Sequence, residues 1–249
     1  GTVPGVPNGV NAPAYINLMG ADFRAPVTWK ASASYSRRVT NAFTLTGTFL
    51  AAETRHNYQY FDRNLRDAPA FTLDNEQGRA VFVAANTIPA TGRTTARFAY
   101  KNPEFTHVLE LVSTGRARTR TAIVDGSLAL PRGGLLRSSY TYNRTRDQST
   151  FSCCIARTAS LLTPVRSDPR DLSGSWGPSD YDFRHKVTAF ADMPVGWGVT
   201  LGARYVGASG RPFSLTVNGD INGDDYSGND LAFVFDPDDP STPADIAAA

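Results

Sequence analysis

The sequence is short of the residues that most site chemistry needs. It has three histidines, His56, His107 and His185, and two cysteines, Cys153 and Cys154, which are adjacent. A zinc site of the finger type needs a second ligand pair, so structural zinc is excluded. A disulfide between neighbouring cysteines is strained, so the pair reads as loop residues. None of the histidines falls in a motif such as G-x-S-x-G or H-E-x-x-H, and there is no G-x-x-x-x-G-K-[ST] phosphate loop. The chain is therefore read as a non-enzyme with no catalytic residues.

Also missing is any run of about 18 apolar residues, so no helix is expected to cross a membrane. A surplus of basic charge is absent too. Lys and Arg total 25 against 23 Asp and Glu, a net charge of +2, which argues against a nucleic-acid partner. A mean hydropathy of −0.29 suits a soluble protein. It equally suits a membrane β-barrel, whose strands alternate apolar and polar residues. The first residue is Gly and the last stretch is "PADIAAA"; both ends read as cuts in a longer chain.

Helix signals are scarce, and what is present is β patterning. Residues 27–56 read as two arms, "VTWKASASYSRR" and "FTLTGTFLAAETRH", joined by "VTNA". Trp29, Ala31, Ala33 and Tyr35 share one face, and Lys30, Ser32, Ser34 and Ser36 the other. Residues 117–144 repeat the plan around "PRGG", and residues 182–217 around "PVGWG". This period of two predicts strands with one apolar and one polar face.

Two architectures make such strands. A soluble sandwich hides the apolar face against a second sheet. An outer-membrane barrel turns it to lipid. Arms of about ten residues match a tilted crossing strand, and short turns alternating with long connections match barrel asymmetry. Trp197, Tyr35 and Phe43 gather near the short turns. Trp29, Tyr142, Phe183 and Phe213 gather near the long connections, as two aromatic girdles would. The fold is read as all-β, an antiparallel meander of about six long strands, spanning residues 1–249 as part of a large transmembrane barrel. Leu128, Tyr140, Val187 and Leu201 are expected to face lipid, and Arg137, Lys186 and Arg204 the lumen. Arg116, Arg118 and Arg120 share the parity of Val124 and Leu128, so they are candidates for contact with lipid head groups; a solvated charged face is the plainer alternative.

The stretch "DINGDDYSGND", residues 220–230, places Asp220, Asn222 and Asp224 at alternate positions, as a calcium loop does. Asp230 would close the shell, with the Tyr226 carbonyl as a backbone ligand. The stretch is not an EF-hand, because Asp225 stands where the sixth-position Gly belongs and Leu231 where the bidentate Glu belongs. Calcium binding and a solvated Asp/Asn/Gly turn both remain open.

Within "SDYDFRHKVTAFADMPVGWGVTLGARYVGASGRPFSLTVNGDINGDDYSGNDLAF", Asp182 to His185, the turn Pro194 to Gly198, Ser209 to Phe213 and Asp220 to Asp224 follow a set order. With "FTHVLELVSTGRARTRTAIVDGSLALPRGGLLRSSYTYNRTRD", this resembles the barrel of Oar-like TonB-dependent receptors over about residues 104–235. Earlier residues match in style only. The resemblance implies a Gram-negative outer-membrane location and energy-coupled uptake or surface display. It implies further barrel strands, a plug domain, a TonB complex and outer-membrane lipid as partners. No plug or coupling box lies in these residues. The rival is a secreted, calcium-stabilised β-sandwich adhesin or structural surface protein.

Overall fold

The computed structural model describes residues 14–149, 156–161, 163–166, 168–240 and 242–248. Cys153 and Cys154 lie outside the described residues. Six long strands form one sheet: β2 (Val27–Arg38), β3 (Phe43–Asp62), β6 (Phe105–Ala129), β7 (Leu135–Asp147), β9 (His185–Gly196) and β10 (Val199–Ala208). Four shorter strands accompany them: β1 (Ala14–Met19), β4 (Phe71–Leu73), β5 (Arg79–Val81) and β8 (Gly177–Pro178). The sheet order is β10-β9-β7-β6-β3-β2, each pair antiparallel.

That order puts the three tight turns at one end of the sheet and the connections 63–104 and 148–184 at the other. The β9–β10 turn is Trp197-Gly198, with φ of 51° and 73°. Two successive left-handed residues match the right-handed twist of hairpin strands.

Register fixes the faces. Phe43 pairs with Leu128, Leu128 with Leu136, and Leu136 with Ala191. Two rows further from the turns, Gly47, Val124, Tyr140 and Val187 align, and Leu201 shares this face through Met193. The opposite face carries Arg137, Lys186 and Arg204, with Thr44, Asp125, Ser127 and Thr188 around a hollow. Its hydroxyls pair across strands, Ser34 with Thr48 at 2.9 Å and Thr121 with Asn143 at 2.8 Å. Such pairs contribute a few tenths of a kcal/mol each, up to about 1.

Neither face of this sheet is covered by another sheet among the described residues; the only second sheet is the two-stranded β4–β5. Trp29, Tyr35, Phe49, Leu201 and Tyr205 are exposed. The sandwich rival is overturned, because a sandwich would bury those side chains.

Two arms are longer than a crossing needs. β6 has 25 residues and β3 has 20, whereas about 10 suffice. A bulge divides each long strand: His56 adopts φ 59°, and the pairing shifts between Arg55 and Asn57. Opposite it, Gly115 lies so close to Asn57 that a Cβ there would stand 2.9 Å from the Asn57 carbonyl oxygen. Beyond the bulge, β7 has ended, and β1 takes the edge of β6 from Phe105 to Leu111, in parallel. The last arm is shorter than the sequence suggests. β10 stops at Ala208, not near 217, because its partner β9 begins at His185, whose carbonyl accepts from Ser209 N–H at 2.8 Å.

The core lies in the connections. Leu65, Ala80, Val81, Phe82, Val83 and Ala99 form a buried cluster, backed by Phe71, Leu73 and Ile88. A short helix α1 (Ala156–Leu161) and the segment 214–232 complete this cap.

Candidate functional site

The Asp220–Asp230 stretch sits inside the cap rather than on an open turn. Asn222 and Asp230 are 0% exposed, and Asp224 and Asn229 are 2%. Its alternating Asp and Asn residues curl the backbone by accepting from amides ahead of them, as these side chains do in turns. Asp220 accepts from the N–H groups of Gly223 at 2.5 Å, Asp224 at 3.1 Å and Asp225 at 2.9 Å. Asn222 Oδ1 accepts from Asp224 N–H, and Asp224 Oδ1 from Tyr226 N–H, both at 2.9 Å. Gly223 holds φ 80°, and a Cβ on it would meet Val83 Cγ1 at 2.8 Å. Only glycine satisfies both the turn and the packing.

Both long connections meet on this loop. Phe82 N–H donates to the Asn222 carbonyl at 2.7 Å, and Val165 N–H to the Asn229 carbonyl at 2.8 Å. Arg79, itself buried, reaches Glu76 at 2.7 Å, Asp230 at 3.5 Å and the Leu231 carbonyl.

The negative charge here exceeds its compensation. Burial, then the charges of Asp230 and Asp220, push the Asp224 carboxyl well above the usual range. Burial lifts Asp230 to about 6, with Asp220 adding to the rise and Arg79 opposing it. Asp220 is raised by burial as well. Asp224 Oδ2 accepts from the amides of Asn229 at 2.9 Å and Asn222 at 3.3 Å. Asn229 Oδ1 is buried without a hydrogen-bond partner. Asp224 and Asn229 border a small cavity of about 30 Å³, with Tyr226, Ser160 and Asp62. Among the described residues, no three carboxylate, imidazole or thiol groups converge as a ready metal shell.

Beside the loop, His107 is buried between two carboxylates. Nδ1 lies 2.6 Å from Asp62 and Nε2 3.3 Å from Asp225. Its ring stacks on Tyr226 at 4.7 Å, so the Tyr226 side chain is committed to His107 while its N–H serves Asp224. Burial alone would pull the imidazole down, but contacts with Asp225 and Asp62 hold it up at about 9.

On the apolar face of the sheet, Arg116, Arg118 and Arg120 share the parity of Val124 and Leu128. Register adds three arginines to that face: Arg55 opposite Arg116, Arg146 opposite Arg118 and Arg144 opposite Arg120. Sequence reasoning missed these three. They were within reach, since Arg118 and Arg146 are equidistant from the turn at Arg132, as are Arg120 and Arg144. The roles of Arg79 and of the Asp62–His107 pair had no local signal, because their partners lie far along the chain.

A family model described as an outer membrane beta barrel domain matches residues 2–232. No curated protein and no solved structure matches the chain. The match agrees with the geometry: an antiparallel meander, one face apolar and uncovered, the other polar, short turns at one end and long connections at the other. The chain belongs to the outer membrane beta barrel domain family and resides in the outer membrane of a Gram-negative bacterium.

Proposed function

We propose that the chain is barrel wall in a TonB-dependent receptor, serving energy-coupled uptake or surface display, with no reaction of its own. The observation that carries this is the asymmetry of the sheet: three tight turns at one end, and at the other long connections folded into a packed cap. In outer-membrane barrels the short turns are periplasmic and the long loops extracellular, so the cap lies outside the cell. The Oar-like order of motifs over residues 104–235 supports the energy-coupled part. β2 and β10 form the two edges of the sheet. An open edge in lipid leaves backbone groups unpaired at several kcal/mol each, so further barrel strands are partners, and a plug and a TonB complex complete the machine.

Two measurements test this reading separately. Protease added to whole cells should cut within the cap and spare the turns; cutting at Arg132 instead would reverse the orientation. Site-directed crosslinking in intact cells should join the receptor to the TonB protein. Correctly inserted receptor that never crosslinks would overturn energy coupling and leave the barrel assignment standing.

Calcium at the Asp220–Asp230 loop is part of the same proposal. Its support is the excess buried carboxylate and the free, buried Asn229 Oδ1 beside a void that fits one small ion or water. Turning the Asn229 amide would present that oxygen next to Asp224, with Asn222 and Asp230 near by. Asp220 is engaged with three backbone amides and acts by shaping the loop. With no bidentate Glu, affinity should fall in the extracellular range of about 10⁻⁴ to 10⁻³ M. Limited proteolysis with calcium and with chelator should show protection of residues 220–230 in the natural protein and none in Asp224→Asn. Equal protection in both would remove Asp224 as a ligand.

A further inference from the structure

The outward face of β3, β6 and β7, just on the membrane side of the bulge, stacks like charges on one another. Arg116 is paired with Arg55, Arg118 with Arg146 and Arg120 with Arg144. Directly opposed residues hold their Cβ atoms about 4.5 to 5.5 Å apart, and like charges so placed destabilise a sheet. Against these six guanidinium groups the face offers one carboxylate, Glu53, at 3.4 Å from Arg55 and 3.6 Å from Arg118. Arg146 leans on Trp176, donating to its carbonyl at 3.1 Å with the guanidinium 5.5 Å from the ring centre. Arg116 and Arg144 are exposed and have no ion-pair partner among the described residues.

The charge is confined to one face at one level. At the same height the polar face carries neutral pairs, Thr119 with Thr145 at 3.2 Å and Thr121 with Asn143. Toward the turns the outward face becomes apolar, with Phe49, Ala122 and Tyr142 in one row and Val124, Tyr140 and Val187 in the next. From Leu128 to Arg118 is about the length a tilted strand needs to cross the bilayer. The arginines therefore stand where acyl chains give way to head groups. A groove of about 580 Å³ opens beside them, bordered by Arg116, Arg118, Arg170 and Trp176, with the carboxylates of Glu53 and Asp171 at its rim.

We infer that this arginine ladder binds the phosphate groups of a phosphorylated glycolipid in the outer leaflet. Arg118, Arg120, Arg144 and Arg146 grip phosphate oxygens through their guanidinium forks. Arg55 and Arg116 flank them, and the acyl chains lie on the apolar rows below. The phosphate relieves the repulsion that pairing places between the arginines. The inference rests on the reading that the cap end faces outside the cell; whole-cell proteolysis checks that independently. A lipid, rather than a soluble anion, is the occupant because the ladder sits on the face that meets lipid.

The test uses the protein purified from outer membranes in mild detergent. Bound phosphorylated glycolipid is quantified by mass spectrometry for the natural protein, for R118Q/R120Q/R144Q/R146Q, and for the lumen-face control R137Q/R204Q. The natural protein and the control should retain the lipid, and the ladder variant should retain at least about tenfold less. If the fourfold variant does not fold, Arg144→Gln alone should still lower retention several-fold, since Arg144 has no carboxylate to release. Equal retention in ladder variant and natural protein overturns the site. A second arm adds inorganic phosphate to the lipid-loaded protein, and separately offers stripped protein vesicles of phosphatidylcholine with or without a bisphosphorylated glycolipid. Preferential association with the glycolipid vesicles, undisturbed by millimolar phosphate, is expected. Displacement by phosphate, or no preference between vesicles, would overturn the lipid assignment.

Discussion

The wall and the cap of this molecule are built on opposite rules. In the wall, β2 is exposed along its whole length and β10 nearly so; the strands keep their ladder bonds but bury little side chain. In the cap, Phe82, Val83, Ala99, Asn222 and Asp230 are 0% exposed, though little of it is regular structure. The wall's apolar face is left uncovered by protein among the described residues, whereas the cap covers itself. Substitutions should therefore separate into two groups: those that spoil insertion and those that loosen the cap on an intact barrel.

The largest expected effect is Phe82→Ala. Deleting a buried phenylalanine typically costs about 3 to 5 kcal/mol, and Arg170, 4.7 Å above the ring, loses its platform. Hydrogen exchange should speed up across residues 63–104 and 220–231 while β9 and β10 keep their protection. Loss of protection in both regions together would show that wall and cap are one cooperative unit.

Val187→Arg probes the wall. Val187 pairs with Tyr140 midway between the turns and the arginine rows, and a cation on the lipid face near the midplane costs about 2 to 4 kcal/mol. Insertion into liposomes should fall sharply, and a parallel Arg204→Leu should insert normally. Equal insertion of the natural protein and Val187→Arg would contradict the facing derived from register.

A smaller effect should sharpen the contrast by pH. The imidazole of His107 is raised to about 9 in the folded cap, above an unfolded value of about 6.5. A group raised on folding contributes fully below its unfolded value, and that contribution disappears as pH climbs through the folded one. Asp225, held low by His107 and Tyr100 against the opposing effect of burial, loses its share only in acid. The His107 share of the cap's protease resistance should thus decline between neutral pH and about 9, with the wall unchanged. In His107→Gln that decline should vanish; if it persists there, another group is responsible.

Much of the wall was legible in the chain. Alternation of Val124 and Leu128 with Ile123 and Asp125 set their faces, because a strand has a side-chain period of two whatever surrounds it. The turns at "PRGG" and "PVGWG" were legible because left-handed turn residues are a local requirement. The cap was not. Phe82, Val83, Leu65 and Ala99 lie in segments without periodicity, and only chain folding brings them together.

The sequence by itself determined the strands, their faces, the turn end and the loop end, since each follows from neighbours within a few residues. Tertiary structure alone decided what depends on distant partners. It buried the Asp220–Asp230 loop under Phe82 and Val165, where local chemistry equally allowed a solvated turn. It enclosed His107 between Asp62 and Asp225. It also set Arg55 against Arg116 across β3 and β6, whose long connection leaves their register unfixed by any local turn.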